Sequence, residues 1–192
     1  MLRWMNEPPH WRDDGTTLTV RSARGTDFWR RTMVDKIKDD GHFYYQTVDG
    51  DFIAVVNVAG SYRAQFDQAG LLVRQSALNW LKCGVEIVND VWERDYAYSG
   101  SAHLIMAGLT SGGWSEWSTL PQLAENPASV WIRVIRESKT LLVDYSLDGV
   151  KFSILKVCAF PRGRRLRIGR FAASPTGDGF TATFTSFSVK EQ

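Results

Sequence analysis

Apolar and polar residues alternate with period two along most of this chain, and that rhythm limits its fold more than any other feature. Leu81, Cys83, Val85 and Ile87 are interleaved with Lys82, Gly84 and Glu86, as in a strand with one sealed face. The surrounding stretch, Leu78 to Trp92, is long enough for a helix. A helical stripe needs apolar residues at i, i+3, i+4 and i+7, and Lys82 and Glu86 interrupt it. Similar runs occupy Thr17–Arg21, His42–Val48, Phe52–Val58, Gln68–Gln75, Trp80–Val88, Trp92–Tyr98 and Val130–Arg136. Four more follow at Thr140–Leu147, Phe152–Val157, Arg165–Phe171 and Phe180–Val189. Asp49-Gly50 and Asp148-Gly149 are tight-turn dipeptides, each predicting a hairpin between its flanking runs. About twelve short strands without a long helix predict an all-β fold, a two-sheet antiparallel jelly-roll sandwich. No internal repeat or linker-like tract divides the chain, so residues 1–192 are expected to form one domain.

The remaining composition excludes whole classes. With 44% hydrophobic and 23% charged residues, the chain is too apolar for intrinsic disorder. No apolar run approaches the roughly 20 residues of a membrane-spanning helix. A net charge of +2 gives no reason to expect nucleic acid or a membrane surface as partner. The first ten residues lack a signal-type apolar stretch, so a cytoplasmic location is expected. Cys83 and Cys158 stand far apart in apolar runs and read as free thiols. They show no metal-ligand spacing with His10, His42 or His103. Neither a phosphate-binding glycine loop nor a Gly-x-Ser-x-Gly nucleophile motif occurs. No cofactor or metal is expected.

Longer motifs carry a family resemblance. Trp4-Met5-Asn6-Glu7-Pro8, Thr26-Asp27-Phe28-Trp29, Gly41-His42-Phe43 and Gly50-Asp51-Phe52 come first. Asp67-Gln68-Ala69-Gly70-Leu71, Trp80 to Glu86, Ser115-Glu116-Trp117-Ser118, Tyr145 to Gly149 and Ser174-Pro175 follow in order. Together they resemble a bacterial and fungal family of unknown function whose fungal member is labelled "regulation of enolase". That family is placed in the concanavalin A-like lectin/glucanase superfamily. The resemblance implies a jelly roll with a concave sheet and a protein partner in sugar metabolism. The segment Val91–Gly113 departs from the pattern, being longer and more aromatic, and Glu116 stands where the family usually has Asp.

Face parity selects the candidate site. Gln68, Gly70, Leu72 and Arg74 share one side of a strand, as do Trp80, Lys82, Gly84 and Glu86 on the next. The odd-numbered residues form the core face. The polar side, with Tyr44 and Arg133 as additions from neighbouring strands, is expected to line an open hollow. Its glycines leave room for a ligand. Polar groups for hydroxyls and aromatic rings for C–H faces suit a carbohydrate or other small polar ligand. Trp114 and Trp117 would form the rim. The competing reading makes Lys82 and Glu86 a cross-strand ion pair on a solvated face. The Glu-x-Asp-x-x-Glu arrangement of glucanases is absent around Glu86, so non-catalytic binding is favoured. Glu86 is the best single candidate for an acid or base in a glycoside hydrolase or lyase. Asp27 and Asp67 read as turn-stabilising residues. Lys151, Lys156, Arg162, Arg164, Arg165, Arg167 and Arg170 read as a solvated basic edge.

Overall fold

A computed structural model describes residues 1–88, 102–120, 127–161, 163 and 165–192. Among these, the first strands are β1 (Arg3–Met5), β2 (His10–Asp13), β3 (Thr17–Arg21), β4 (Phe28–Arg30), β5 (Ile37–Asp39) and β6 (His42–Asp49). Next come β7 (Phe52–Gly60), β8 (Gln68–Arg74), β9 (Trp80–Val88), β10 (Ala102–Ser111), β11 (Trp114–Ser115) and β12 (Ser118–Thr119). The last are β13 (Val130–Glu137), β14 (Thr140–Ser146), β15 (Ser153–Ala159), β16 (Arg165–Ala173) and β17 (Thr181–Glu191).

They build two large antiparallel sheets. One runs β1-β6-β16-β8-β9-β10-β11, with β12 also on β10; the other runs β15-β14-β13-β7-β17-β3-β2. Ala69, Leu71, Val73, Leu81, Cys83 and Val85 of the first sheet meet Val56, Val58, Ile132, Val134 and Val143 of the second. Burying each such large aliphatic side chain contributes about 1.5–3 kcal/mol. The odd-numbered faces of β8 and β9 are therefore the sealed core, as their alternation predicts.

Asp148-Gly149 closes the β14–β15 hairpin, with Tyr145 opposite Ser153. Asp49-Gly50 does not close one. β6 and β7 belong to different sheets, and Gly50, with φ 81°, turns the chain from one layer to the other. The run predicted at Trp92–Tyr98 lies outside the described residues. Within the divergent segment Val91–Gly113, residues 102–111 form β10, paired along its length with β9.

The outward face of the eight-stranded sheet is not open. A separate two-stranded ribbon, β4 and β5, lies across it and encloses a second apolar cluster of Phe28, Phe43, Leu72, Trp80, Met106 and Phe171. Phe28 packs edge-on against Trp80 and Phe171, with centroids 6.1 and 6.3 Å away. Two charged side chains of the sheet fasten the ribbon. Arg74 grips Asp39 with two hydrogen bonds of 2.8 and 2.6 Å, and Lys82 Nζ donates to Phe28 O at 2.9 Å. At the far side Arg30 N donates to Ser115 Oγ.

Candidate functional site

Sheet register explains why the even-numbered polar residues converge. Gln68 lies directly opposite Glu86 and Leu72 opposite Lys82, so their side chains leave the same face. Between these rows Gly70 faces Gly84. A Cβ on Gly84 would stand 2.1 Å from Ala69 O, and one on Gly70 2.0 Å from Cys83 O. Glycine is thus required there by the close approach of the two backbones rather than by space for a ligand.

Under the ribbon, Gln68, Lys82 and Glu86 are only 1, 2 and 3% exposed. They form the floor of a cavity of about 210 Å³, a roofed pocket where the sequence predicts an open hollow. Asp27 and Trp29 reach it from the ribbon, Met33 and Val34 from the ribbon loop, and Phe66, Trp117 and Pro175 from the side.

The floor is one hydrogen-bonded unit. Lys82 Nζ donates to Gln68 Oε1 at 2.7 Å and lies 3.7 Å from Asp27 Oδ1. The amide nitrogen of Gln68 donates to Glu86 Oε1 at 3.1 Å and contacts Asp27 Oδ1 at 3.4 Å. Trp117 Nε1 donates to Glu86 Oε2 at 2.7 Å. Lys82 Nζ also sits 5.7 Å from the Trp29 ring centre, within cation–π range. Burial pushes the Glu86 carboxyl up to about 7 from an ordinary 4.5, against the opposing pull of Lys82 and Trp117, and Asp27 adds to the rise. A carboxyl that changes charge near neutrality, beside an ammonium and between aromatic walls, can accept or donate a proton and bind hydroxyl groups.

The other predicted site residues are elsewhere. Arg74 shares the outward face, but its guanidinium is spent on Asp39 and it does not line the cavity. Tyr44 stands opposite Arg170, which stands opposite Leu71. It therefore faces the inter-sheet core side, stacked on Trp4 at 4.6 Å. Arg133 belongs to β13 in the other sheet, where it bonds Asp144 and lies over Phe152. Trp114 is exposed at 59%, with Arg31 over its ring, while Trp117 is a cavity wall. The basic run is no solvated edge throughout. Arg170 is buried between Tyr44 and Phe187, Lys156 pairs with Glu116, and Arg162 and Arg164 lie outside the described residues.

Sequence reasoning missed Asp27, Trp29 and Phe66 as cavity residues. Asp27 has the predicted local duty, accepting from Phe28 N at 2.7 Å, and faces the cavity as well. Asp67 has only the structural one, taking Arg63 N, Ala64 N and the Ser174 hydroxyl. Among the described residues, no group of three or more His, Cys, Asp or Glu is placed to hold a metal ion, and both cysteines are free thiols.

A family profile described as "Protein of unknown function (DUF1349)" matches residues 4–192. The chain belongs to the DUF1349 family. This DUF1349 protein is 30% identical over 186 residues to "Regulation of enolase protein 1" of Saccharomyces cerevisiae, covering 97% of this chain and 87% of the relative. A crystal structure of a functionally unknown S. cerevisiae protein matches with TM-score 0.89 and 30% identity, over 100% of this chain and 96% of that one. The GH43 protein BlXynB of Bacillus licheniformis matches at TM-score 0.67 and 16% identity, with 98% of this chain aligned to 36% of that chain. Lectin I-B4 of Griffonia simplicifolia matches at TM-score 0.54 and 11% identity, covering 99% and 93%. With the last two, the DUF1349 chain shares the lectin-like sandwich fold alone. No helix among the described residues is long and apolar enough to cross a membrane.

Proposed function

We propose that the roofed cavity binds a small carbohydrate unit or a ligand of similar chemistry. The observation that carries this reading is the pairing of a polar floor, Gln68, Lys82 and Glu86, with the flat apolar walls Trp29 and Trp117. Hydroxyl groups need donors and acceptors close together, and sugar C–H faces need aromatic surface. At about 210 Å³ the cavity is smaller than the 300–1,000 Å³ typical of drug-sized ligands. A single ring, free or at a chain end, fits that size better than the middle of a polysaccharide. Titration with a panel of monosaccharides and methyl glycosides tests the reading through tryptophan emission. At least one sugar should quench emission in a saturable way, with the response lost in Trp117→Phe and weakened in Glu86→Gln. Silence toward every sugar at millimolar concentration would remove the proposal.

A second reading is a regulatory interaction protein of carbohydrate metabolism, working in the cytoplasm. The name of the 30%-identical yeast relative supports it, as do Met33, Val34 and Ile37, exposed around the ribbon loop. Sedimentation of the chain with purified enolase tests this, and independent sedimentation of the two proteins would count against it.

A further inference from the structure

We propose that Asp27 and Glu86 act together on a terminal glycosidic bond in this cavity, Glu86 as the acid and Asp27 as the nucleophile. This rests on the carbohydrate reading above and adds a reaction to it. One amide nitrogen, Gln68 Nε2, contacts both carboxyls, at 3.4 Å to Asp27 Oδ1 and 3.1 Å to Glu86 Oε1. Those two oxygens are therefore no farther apart than the two contacts laid end to end. That ceiling is no longer than the short limit of the roughly 6.5–9.5 Å used by pairs that place a water between them. It admits the roughly 5–5.5 Å of pairs that form a covalent glycosyl intermediate.

The two carboxyls have different surroundings, which is what divided roles require. Asp27 faces the Lys82 ammonium and accepts from Phe28 N, an arrangement suited to a carboxylate. Glu86 is enclosed at the floor, away from solvent, with Val88, Leu104 and the Trp117 ring forming the adjacent apolar cluster. Both line one cavity, and they come from distant parts of the chain, the covering ribbon and β9.

The reaction balances without a cofactor. The Glu86 carboxyl gives its proton to the glycosidic oxygen, the anomeric C–O bond breaks and the alcohol leaves. An Asp27 oxygen attacks the anomeric carbon and forms a glycosyl ester. Water then attacks that carbon and yields its proton to the Glu86 carboxylate, while the ester C–O bond breaks and restores the Asp27 carboxylate. The free sugar leaves, and both side chains return to their starting states.

The test uses the full chain with 4-nitrophenyl α- and β-glycosides of common pentoses and hexoses, and with the matching 2-deoxy-2-fluoro glycosides. At least one chromogenic substrate should release 4-nitrophenol. Release should fall by roughly 10²–10⁴-fold in Glu86→Gln and similarly in Asp27→Asn, with both variants melting as cooperatively as the parent. Peptide mass spectrometry after the fluoro glycoside should place one sugar on the peptide containing Asp27. Saturable tryptophan quenching without any 4-nitrophenol would overturn the catalytic step and leave the binding reading standing. A label on another residue, or turnover surviving in Asp27→Asn, would overturn the role of Asp27. Absence of both quenching and turnover would remove both ideas together.

Discussion

Trp117 Nε1 donates to Glu86 Oε2 at 2.7 Å, so an aromatic wall of the cavity is tied directly to its buried carboxyl. The other Glu86 oxygen is held by Gln68, which in turn accepts from Lys82. Any change in the charge of Glu86 is therefore passed to a tryptophan on one side and to an ammonium on the other. The pH behaviour of this one residue should be visible in both stability and fluorescence.

The sign of the stability effect follows from the direction of the shift. Burial raises the folded-state value of Glu86 from 4.5 to about 7, so the folded protein holds this proton more tightly than the unfolded chain. The associated stability is present below pH ~4.5 and is lost as pH rises through ~7, a loss of about 3 kcal/mol by linkage. Glu86→Gln keeps an acceptor for Trp117, turns an amide nitrogen toward the Gln68 amide in place of an acceptor, and never acquires charge. Relative to the parent, it should gain about 2 kcal/mol between pH 5 and pH 8 in denaturant melts. A pH-independent difference would show that Glu86 titrates normally in the fold.

Lys82 is expected to be the latch of the covering ribbon. Its ammonium serves Phe28 O and Gln68 Oε1 and faces Asp27, all in a nearly solvent-free setting. Lys82→Met retains length and apolar bulk but leaves two acceptors without their donor and the Asp27 carboxylate without its cation. The cost should be about 3–5 kcal/mol. Hydrogen exchange should show early loss of protection at the amides of Phe28–Arg30 and Ile37–Asp39. Uniform loss across both large sheets would instead make Lys82 part of the global core.

Backbone proximity, not backbone dihedral, sets the requirement at Gly84. A methyl group there would sit 2.1 Å from a carbonyl oxygen of the neighbouring strand, and strand backbone cannot yield cheaply. Gly84→Ala should cost on the order of 3 kcal/mol or more, the range reserved for overpacking and backbone disruption. Gly15→Ala offers the contrast. Nothing lies within 4 Å of its added Cβ, but φ is +88°, so the cost should be about 1–2 kcal/mol. Thermal melts of the two variants separate the mechanisms, and equal losses would contradict them.

What could be read from the sequence was local. Alternation within Gln68–Arg74 and Trp80–Val88 assigned both faces of β8 and β9 because successive strand residues necessarily point to opposite sides. It also brought Gln68, Lys82 and Glu86 together, because β8 and β9 are neighbours joined by a short turn. Alternation does not say which sheet a strand joins. For that reason alternation alone places Arg133 on the wrong sheet and makes Asp49-Gly50 look like a hairpin where the chain changes layers. Tyr44 failed by one residue, since Tyr45 shares the outward face with Gly169, Leu72 and Lys82. The ribbon was missed altogether. β4 and β5 have three residues each, too few to show a period, and their role depends on Arg74 and Lys82 far along the chain.

Arg133 offers a prediction that separates the two sheets by function. It bonds Asp144 through Nη2 at 2.5 Å and Nε at 3.0 Å, and its guanidinium lies 4.1 Å from the Phe152 ring centre. Asp144 is 3% exposed, so the pair is partly shielded and removal of its cation leaves a buried carboxylate. Arg133→Met should lower stability by about 3 kcal/mol at neutral pH. Sugar-dependent tryptophan quenching should be unchanged, because Arg133 stands on the seven-stranded sheet and the cavity opens beneath the ribbon on the eight-stranded one. A variant that kept its stability but lost quenching would relocate the ligand to the opposite face of the sandwich.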